Sequence, residues 1–278
     1  MSDTFSRRFV PALGKSVHRL GLACNYGIDA HGFERALDRG IDYVFWTNMR
    51  TGHLREPLRQ ALRRDRERLV VATGATIGFF GGGVRRGAEK ALRELGTDYI
   101  DVFQLFWLGT TSAWTEGTTE ALVRLKEEGK IRAIGVSIHD RPRAGRLALE
   151  SPIDLFMIRY NAAHPGAERD IFPHLAARKP AVVAYTATSW RKLMRRPRKW
   201  NGPVMTAGDC YRFCLSSPSV DVTLTGPANL AQLEESLDAL ERGPLSPDES
   251  AWMRTFGGVV HGGRTATAEP AAAEPLSG

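Results

Sequence analysis

The sequence predicts an α/β fold, a (β/α)8 TIM barrel forming a single domain. Eight short apolar segments rich in β-branched and aromatic residues recur along the chain, and a stretch with helical periodicity follows each of them. The length of 278 residues fits one such barrel, which typically occupies about 250 residues. Continuous apolar strands alternating with amphipathic helices signal a parallel sheet covered by helices, and eight such units permit closure.

In chain order the strands are read near 20–24 (LGLAC), 41–46 (IDYVFW), 69–73 (LVVAT), 99–106 (YIDVFQLF), 131–136 (IRAIGV), 154–159 (DLFMIR), 181–185 (AVVAY) and 220–225 (VDVTLT). Between them, residues 87–96 place Ala88, Ala91, Leu92 and Leu95 on one helical face and stop at Gly96, and residues 121–130 stop at Gly129. Further helices fit 29–39, 53–64, 142–150, 167–178, 206–216 and 229–241. Residues 1–19 fit a hairpin that closes the bottom of the barrel, with Leu13, Gly14 and Lys15 as its turn. The barrel domain is read as 1–261; residues 262–278 are small, Pro-containing and poor in apolar bulk, so a disordered tail is expected there.

Hydrophobic content of 42% and charged content of 25% are those of a soluble globular protein. No apolar run is long enough for a signal peptide or a membrane span, so a cytoplasmic protein without a membrane partner is expected. Three cysteines, Cys24, Cys210 and Cys214, are too few for a disulfide framework and are read as reduced structural residues. The net charge of +7 arises largely from SWRKLMRRPRKW at 189–200. No nucleic-acid reader motif accompanies this run, so no nucleic-acid partner is expected. It reads either as a solvated loop or as a barrel loop that binds phosphate. HExxH, CxxC, GxSxG and Walker phrases are missing, which leaves metal-dependent hydrolase, serine hydrolase and kinase chemistry without support; no metal is expected.

The phrases LGLACNYG at 20–27, GIDY at 40–43, ALRELGTDYIDVFQLFW at 91–107, LKEEGKIRAIGVS at 125–137 and GPANLAQLEE at 226–235 occur in that order over nearly the whole chain. In this order and spacing they resemble the aldo-keto reductase superfamily. The resemblance implies an oxidoreductase that uses NADP(H), with a tyrosine as general acid, a lysine and an aspartate that tune it, and a histidine that orients the carbonyl. None of the four is found at its matching position. The aspartate position falls on Phe45 or Trp46, depending on register, and the tyrosine position on Arg50 or Thr51. The lysine position holds Gly74 and the histidine position Phe106. A reductase that works by the usual tetrad is therefore not expected.

The cofactor half of the resemblance is better kept. Ser137 matches a carboxamide contact, Tyr185 the aromatic residue on which the nicotinamide stacks, and Asn161 the end of the phrase MIRYN. Asn229, Gln232 and Glu235 match the segment that receives the adenosine end, where a helix N-terminus favours phosphate. Two polar contacts are replaced, by Ile138 and Met157, and Ser236 stands where the family has Asn. Trp46, Phe106 and Trp107, together with Phe45, predict an apolar, aromatic mouth for a small-molecule ligand, or a filled site that has lost function. The polar residues left there are Asn25, Asn48, Arg50, His139, Asp140, Arg159 and His164. His139 is the candidate for proton transfer and Arg50 for binding a carboxylate or phosphate. Alternative readings are a non-catalytic binding or regulatory barrel, and a non-redox isomerase or dehydratase with His139 as base.

Overall fold

The structure of the protein, a computed structural model, describes residues 4–47, 52–76, 81–198 and 200–262. Arg50, Asn48, Thr51 and all but the first residue of the expected tail lie outside them. β1 (Arg7–Val10) and β2 (Lys15–His18) form an antiparallel hairpin. Its turn is a single 3-10 turn over Pro11–Leu13, and Gly14 takes the left-handed conformation (φ 63°) that returns the chain.

The eight barrel strands are β3 (Leu20–Ala23), β4 (Tyr43–Phe45), β5 (Val70–Ala75), β6 (Ile100–Leu108), β7 (Ile131–Ile138), β8 (Leu155–Arg159), β9 (Ala181–Tyr185) and β10 (Val222–Thr225). They pair in parallel in chain order, and β10 returns to β3 to close the sheet. All eight expected strands are found. The helices α1 (Ala30–Asp38), α2 (Gly52–Arg64), α3 (Gly81–Leu95), α4 (Glu116–Glu127), α5 (Arg141–Glu150), α6 (Ala167–Asp170), α7 (Ala207–Ser216), α8 (Leu230–Glu241) and α9 (Pro247–Val260) surround it.

Alternation along the strands divides the core into two layers. Tyr43, Val70, Val102, Ala133, Leu155, Val183 and Val222 fill the barrel interior. Phe33, Leu58, Phe103, Phe156 and Phe256 pack between the sheet and the helices. All three cysteines are free and buried in this outer layer, and burial raises the thiols of Cys24, Cys210 and Cys214 above the usual range.

A motif that recurs on every second strand fastens the bottom of the barrel. On alternate strands an apolar residue precedes an aspartate: Ile41-Asp42, Ile100-Asp101, Ile153-Asp154 and Val220-Asp221. Each carboxylate accepts a backbone N–H near the start of the preceding strand: His18 (2.8 Å), Val71 (2.9 Å), Ile134 (2.8 Å) and Val182 (2.8 Å), respectively. Cations then neutralise the aspartates: Arg7 on Asp42 (2.6 Å), Arg66 and Lys15 on Asp101 (2.8 and 3.3 Å), Lys126 on Asp154 (2.6 Å) and Arg8 on Asp221 (3.5 Å). Arg7, Arg8 and Lys15 belong to the hairpin, so the hairpin is held to the barrel by charge as well as by Val10 and Val17.

The structure corrects two helices. The one expected over 167–178 is only α6 followed by a 3-10 turn at Phe172–His174, because Pro173 cannot continue an α-helix. A helix not expected from the sequence, α9, begins at Ser246, whose side chain accepts the Glu249 N–H while Glu249 reaches back to the Ser246 N–H. Arg212, buried on α7, donates to both oxygens of Glu249 (2.6 and 3.0 Å) and ties α9 to the barrel.

Candidate functional site at the mouth of the barrel

The C-terminal ends of the strands form the mouth, where the loops of a (β/α)8 barrel gather. Ala23, Phe45, Phe106, Met157 and Leu224 end the inner layer and retain 4–8% exposure, whereas Val70, Val102, Ala133 and Leu155 below them are fully buried. Solvent reaches this floor and goes no deeper. Phe45 and Phe106 meet edge to face with ring centroids 5.8 Å apart.

Strand parity sends Trp46 the other way, into the outer layer, where it is 2% exposed. Its edge and that of Phe106 border a cavity of about 310 Å³ that also touches Gly74, Thr73 and Arg86. Gly74 is tightly confined: a Cβ there would lie well inside van der Waals contact distance of the Gln104 carbonyl oxygen. No Cβ fits on this backbone unless β6 shifts.

β6 breaks register against β7 between Leu105 and Leu108, and the break places Trp107 in the left-handed region (φ 49°). Ser112 and Thr111 hold the Phe106 carbonyl (2.7 and 3.1 Å), while the Trp107 N–H donates to Ser137 Oγ (2.8 Å). Trp107 is left 40% exposed at the rim. Ser137 thus already has a backbone donor, and its own hydroxyl proton remains for a further acceptor.

Past β7, Asp140 caps α5 by accepting the Arg143 N–H (3.0 Å), so the histidine beside it has no capping role. His139 instead leans on Tyr185, whose hydroxyl lies 3.2 Å from either ring nitrogen. Burial pushes the Tyr185 phenol up to about 12 against the opposing pull of Arg159. Partial burial, and then Arg159, lower His139 below the usual imidazole range. His139 is therefore neutral at pH 7, with one nitrogen able to accept.

Arg159 ends β8 on the inward-facing row of Leu155 and Met157, directly beside Tyr185 in the β8–β9 register. It is half-buried, and among the described residues no carboxylate or other hydrogen-bond acceptor meets it. His164 donates from Nδ1 to Asn161 Oδ1 (3.1 Å) and meets the ring of His261 edge-on at 4.9 Å. Burial, Arg159, His261, Arg141 and Lys192 together hold His164 down at about 4.

Asn161 does not face the mouth. It is fully buried, its amide donating to the Thr186 carbonyl (2.8 Å) and its oxygen accepting from Ala163 (3.0 Å) as well as His164. A side chain with no exposed surface cannot touch a cofactor; Asn161 positions the loop after β9. In that loop Thr186, Ser189, Trp190 and Arg191 all take positive φ of 50–66°, unusual for residues other than glycine. Among the described residues of the basic run, Arg191, Lys192, Arg195, Arg196 and Arg198 form no ion pair.

At the far side, Asn229 caps α8 by accepting the Gln232 N–H (3.0 Å), and Gln232 returns to accept the Ala228 N–H (2.9 Å). Glu235 is exposed one turn further on. The Tyr26 ring packs against Gly226, where a Cβ would collide with it, so the β3 and β10 loops share one wall.

Residues 31–199 match the family model described as "Aldo/keto reductase family". The chain belongs to the aldo/keto reductase family. It is 24% identical over 256 residues to the uncharacterized oxidoreductase YqkF of Bacillus subtilis, a match covering 78% of this chain and 83% of that one. The aldo-keto reductase YhdN of the same organism is 26% identical over 162 residues, 54% of this chain and 49% of its own. Among solved structures, aldo-keto reductase AKR11C1 from Bacillus halodurans superimposes with a TM-score of 0.77 at 22% identity, covering 90% of this chain and 96% of that one. An aldo/keto reductase from Klebsiella pneumoniae, solved with NADP and acetate, gives 0.76 at 22% identity over 92% and 96%. These likenesses show the closed eight-stranded barrel. Among the described residues no helix is long and apolar enough to cross a membrane, and no cluster of His, Cys, Asp and Glu could hold a metal.

Proposed function

We propose that this protein binds NADP(H) at the barrel mouth and acts on a small molecule in the cytoplasm as an oxidoreductase that does without the family's Asp-Tyr-Lys-His tetrad. The observation that carries the reading is the contrast between the two sides of the mouth. Near the mouth β4, β5 and β6 carry Phe45, Gly74 and Phe106, none of them titratable, while the elements from β7 to α8 bring Ser137, His139, Tyr185 and a capped helix N-terminus.

The dinucleotide fits what these residues offer. Tyr185 presents a ring for the nicotinamide, and Ser137, 2% exposed, keeps a hydroxyl proton that its bond from the Trp107 N–H leaves unspent. The cations of the β9–α7 loop, which form no ion pair among the described residues, and the N-terminus of α8, with Asn229, Gln232 and Glu235, suit the phosphates and adenosine. The NADP held by the Klebsiella structure supports this assignment. When bound, the nicotinamide supplies or accepts a hydride. His139, lowered below the usual imidazole range and hydrogen-bonded to the Tyr185 hydroxyl, is our candidate to exchange a proton with the ligand. Titration with NADPH, followed by tryptophan fluorescence, tests the reading. Saturation in the micromolar range supports it, and no saturable binding at millimolar cofactor overturns it.

The exclusion of any side chain at Gly74 favours a second reading, a non-catalytic binding barrel. Turnover of any carbonyl substrate that is lost in His139→Ala argues against it. Turnover without NADP(H), lost in the same variant, would point to an isomerase or dehydratase instead.

A further inference from the structure

Four features of the mouth converge on one kind of ligand. The floor is apolar and aromatic, made by Phe45, Phe106, Met157 and Leu224. Its upper edge carries an inward-facing cation, Arg159, one strand from Tyr185. That guanidinium is half-buried and, among the described residues, has no acceptor. Three polar groups near it bring no negative charge at neutral pH: burial and Arg159 itself hold His139 and His164 in the neutral form, and burial raises the Tyr185 phenol.

An arginine partly withdrawn from water without a partner loses hydration and gains nothing in return, unless a ligand brings the acceptor. Its planar fork takes a carboxylate through two parallel hydrogen bonds. Among the described residues no carboxylate competes: Asp140 is turned to the α5 cap and Asp170 is held by Arg141 and Arg169. We infer that Arg159 is an oxyanion anchor, and that the mouth takes a small molecule with an apolar, ring-sized body and one carboxylate. The body lies on Phe45 and Phe106, and the carboxylate turns to Arg159, within reach of the Tyr185 hydroxyl. The inference rests on the mouth being the ligand site of the proposed function and not on hydride transfer.

Benzoate is the probe, with benzamide as its uncharged isostere, titrated into the full-length protein without dinucleotide while tryptophan fluorescence is followed. Benzoate should saturate and bind at least about tenfold more tightly than benzamide, the range expected of a hydrogen bond to a charged group. Arg159→Met should remove that preference and leave benzamide unchanged, and Arg159→Lys should keep part of it. Equal affinity for the two probes in the native protein, a measurement that needs no variant, overturns the inference. So does no benzoate binding, or unchanged benzoate binding in Arg159→Met. A parallel NADPH titration separates the other source of an oxyanion: Arg159→Met should bind NADPH as the native protein does. Weakened NADPH binding with unaltered benzoate binding would assign Arg159 to a cofactor phosphate and overturn the carboxylate. If the native protein binds no NADPH while the benzoate pattern holds, the redox reading fails and the anchor stands.

Discussion

Gly74 faces the backbone of Gln104 so closely that a Cβ on the glycine would overlap the Gln104 carbonyl oxygen. The two residues are register partners on β5 and β6. A lysine here, where the sequence resemblance would set one, would therefore have to push apart two paired strands. Gly74→Lys should destabilise the barrel by about 1–3 kcal/mol, the range of overpacked cores, and should confer no carbonyl reductase activity. Thermal melts and an NADPH-oxidation assay over a panel of aldehydes check both halves. A stable variant with measurable turnover would show that the backbone adapts and that only the side chain is missing.

The Asp101 carboxylate is 3% exposed and takes three donors: Arg66, Lys15 and the Val71 N–H. Removing it strands one cation that reaches in from the hairpin, another from the α2–β5 connection and a backbone donor on β5. Asp101→Ala should lower unfolding free energy by about 3–5 kcal/mol, as breaking a buried pair from one side does. Asp154→Ala, whose cation Lys126 is more exposed, should lose less. Urea unfolding of the two variants measures the difference; equal losses would mean that the backbone bond, common to both, dominates the ion pairs.

The eight strands were legible because each is a buried parallel strand with a continuous apolar run, and the hairpin because Gly14 sits between two short extended segments. The missed α9 carried its signal in plain text, Ser246-Pro247-Asp248-Glu249, a capping box with proline at the first helical position. Pro173 likewise announced the end of α6. At the mouth, parity along LFMIR places Arg159 in line with Met157, so its inward direction could be read from the sequence; its lack of a partner could not, since that depends on where Asp140 and Asp170 turn. The break in β6 at Trp107 and the burial of Asn161 arise from contacts between strands distant in sequence, Ser137 with Trp107 and Thr186 with Asn161. No local pattern encodes them.

Five cations of the β9–α7 connection stand without carboxylate partners among the described residues, on a loop with a left-handed run at Ser189, Trp190 and Arg191. Replacing Arg195, Arg196 and Arg198 together by Ser should weaken NADPH binding by about tenfold or more and flatten its salt dependence, because exposed charges attract phosphate through a screened field. Melting temperature should hardly change. NADPH titrations at low and high salt check this, and unchanged affinity would return the run to a solvated loop.

His164 should contribute to a loss of stability in mild acid. Its folded value of about 4 lies below the ordinary 6.5 because of burial and the nearby Arg159, His261, Arg141 and Lys192. Above pH 6.5 the ring is neutral in both folded and unfolded chains, and it contributes nothing. As pH falls from about 6.5 toward 4, the unfolded chain takes up a proton that the folded one refuses, so stability must fall across that window. His18 and His139, also lowered, act in the same direction. The carboxylates held down by Arg212 and Arg85, Glu249 and Glu128, titrate lower still and leave the upper part of the window to the histidines. Melting temperatures between pH 7 and 5 should decline, and His164→Gln, which keeps a donor for Asn161 and carries no titrating group, should make the decline shallower. An identical slope in the variant would place the acid response on His18 and His139 instead.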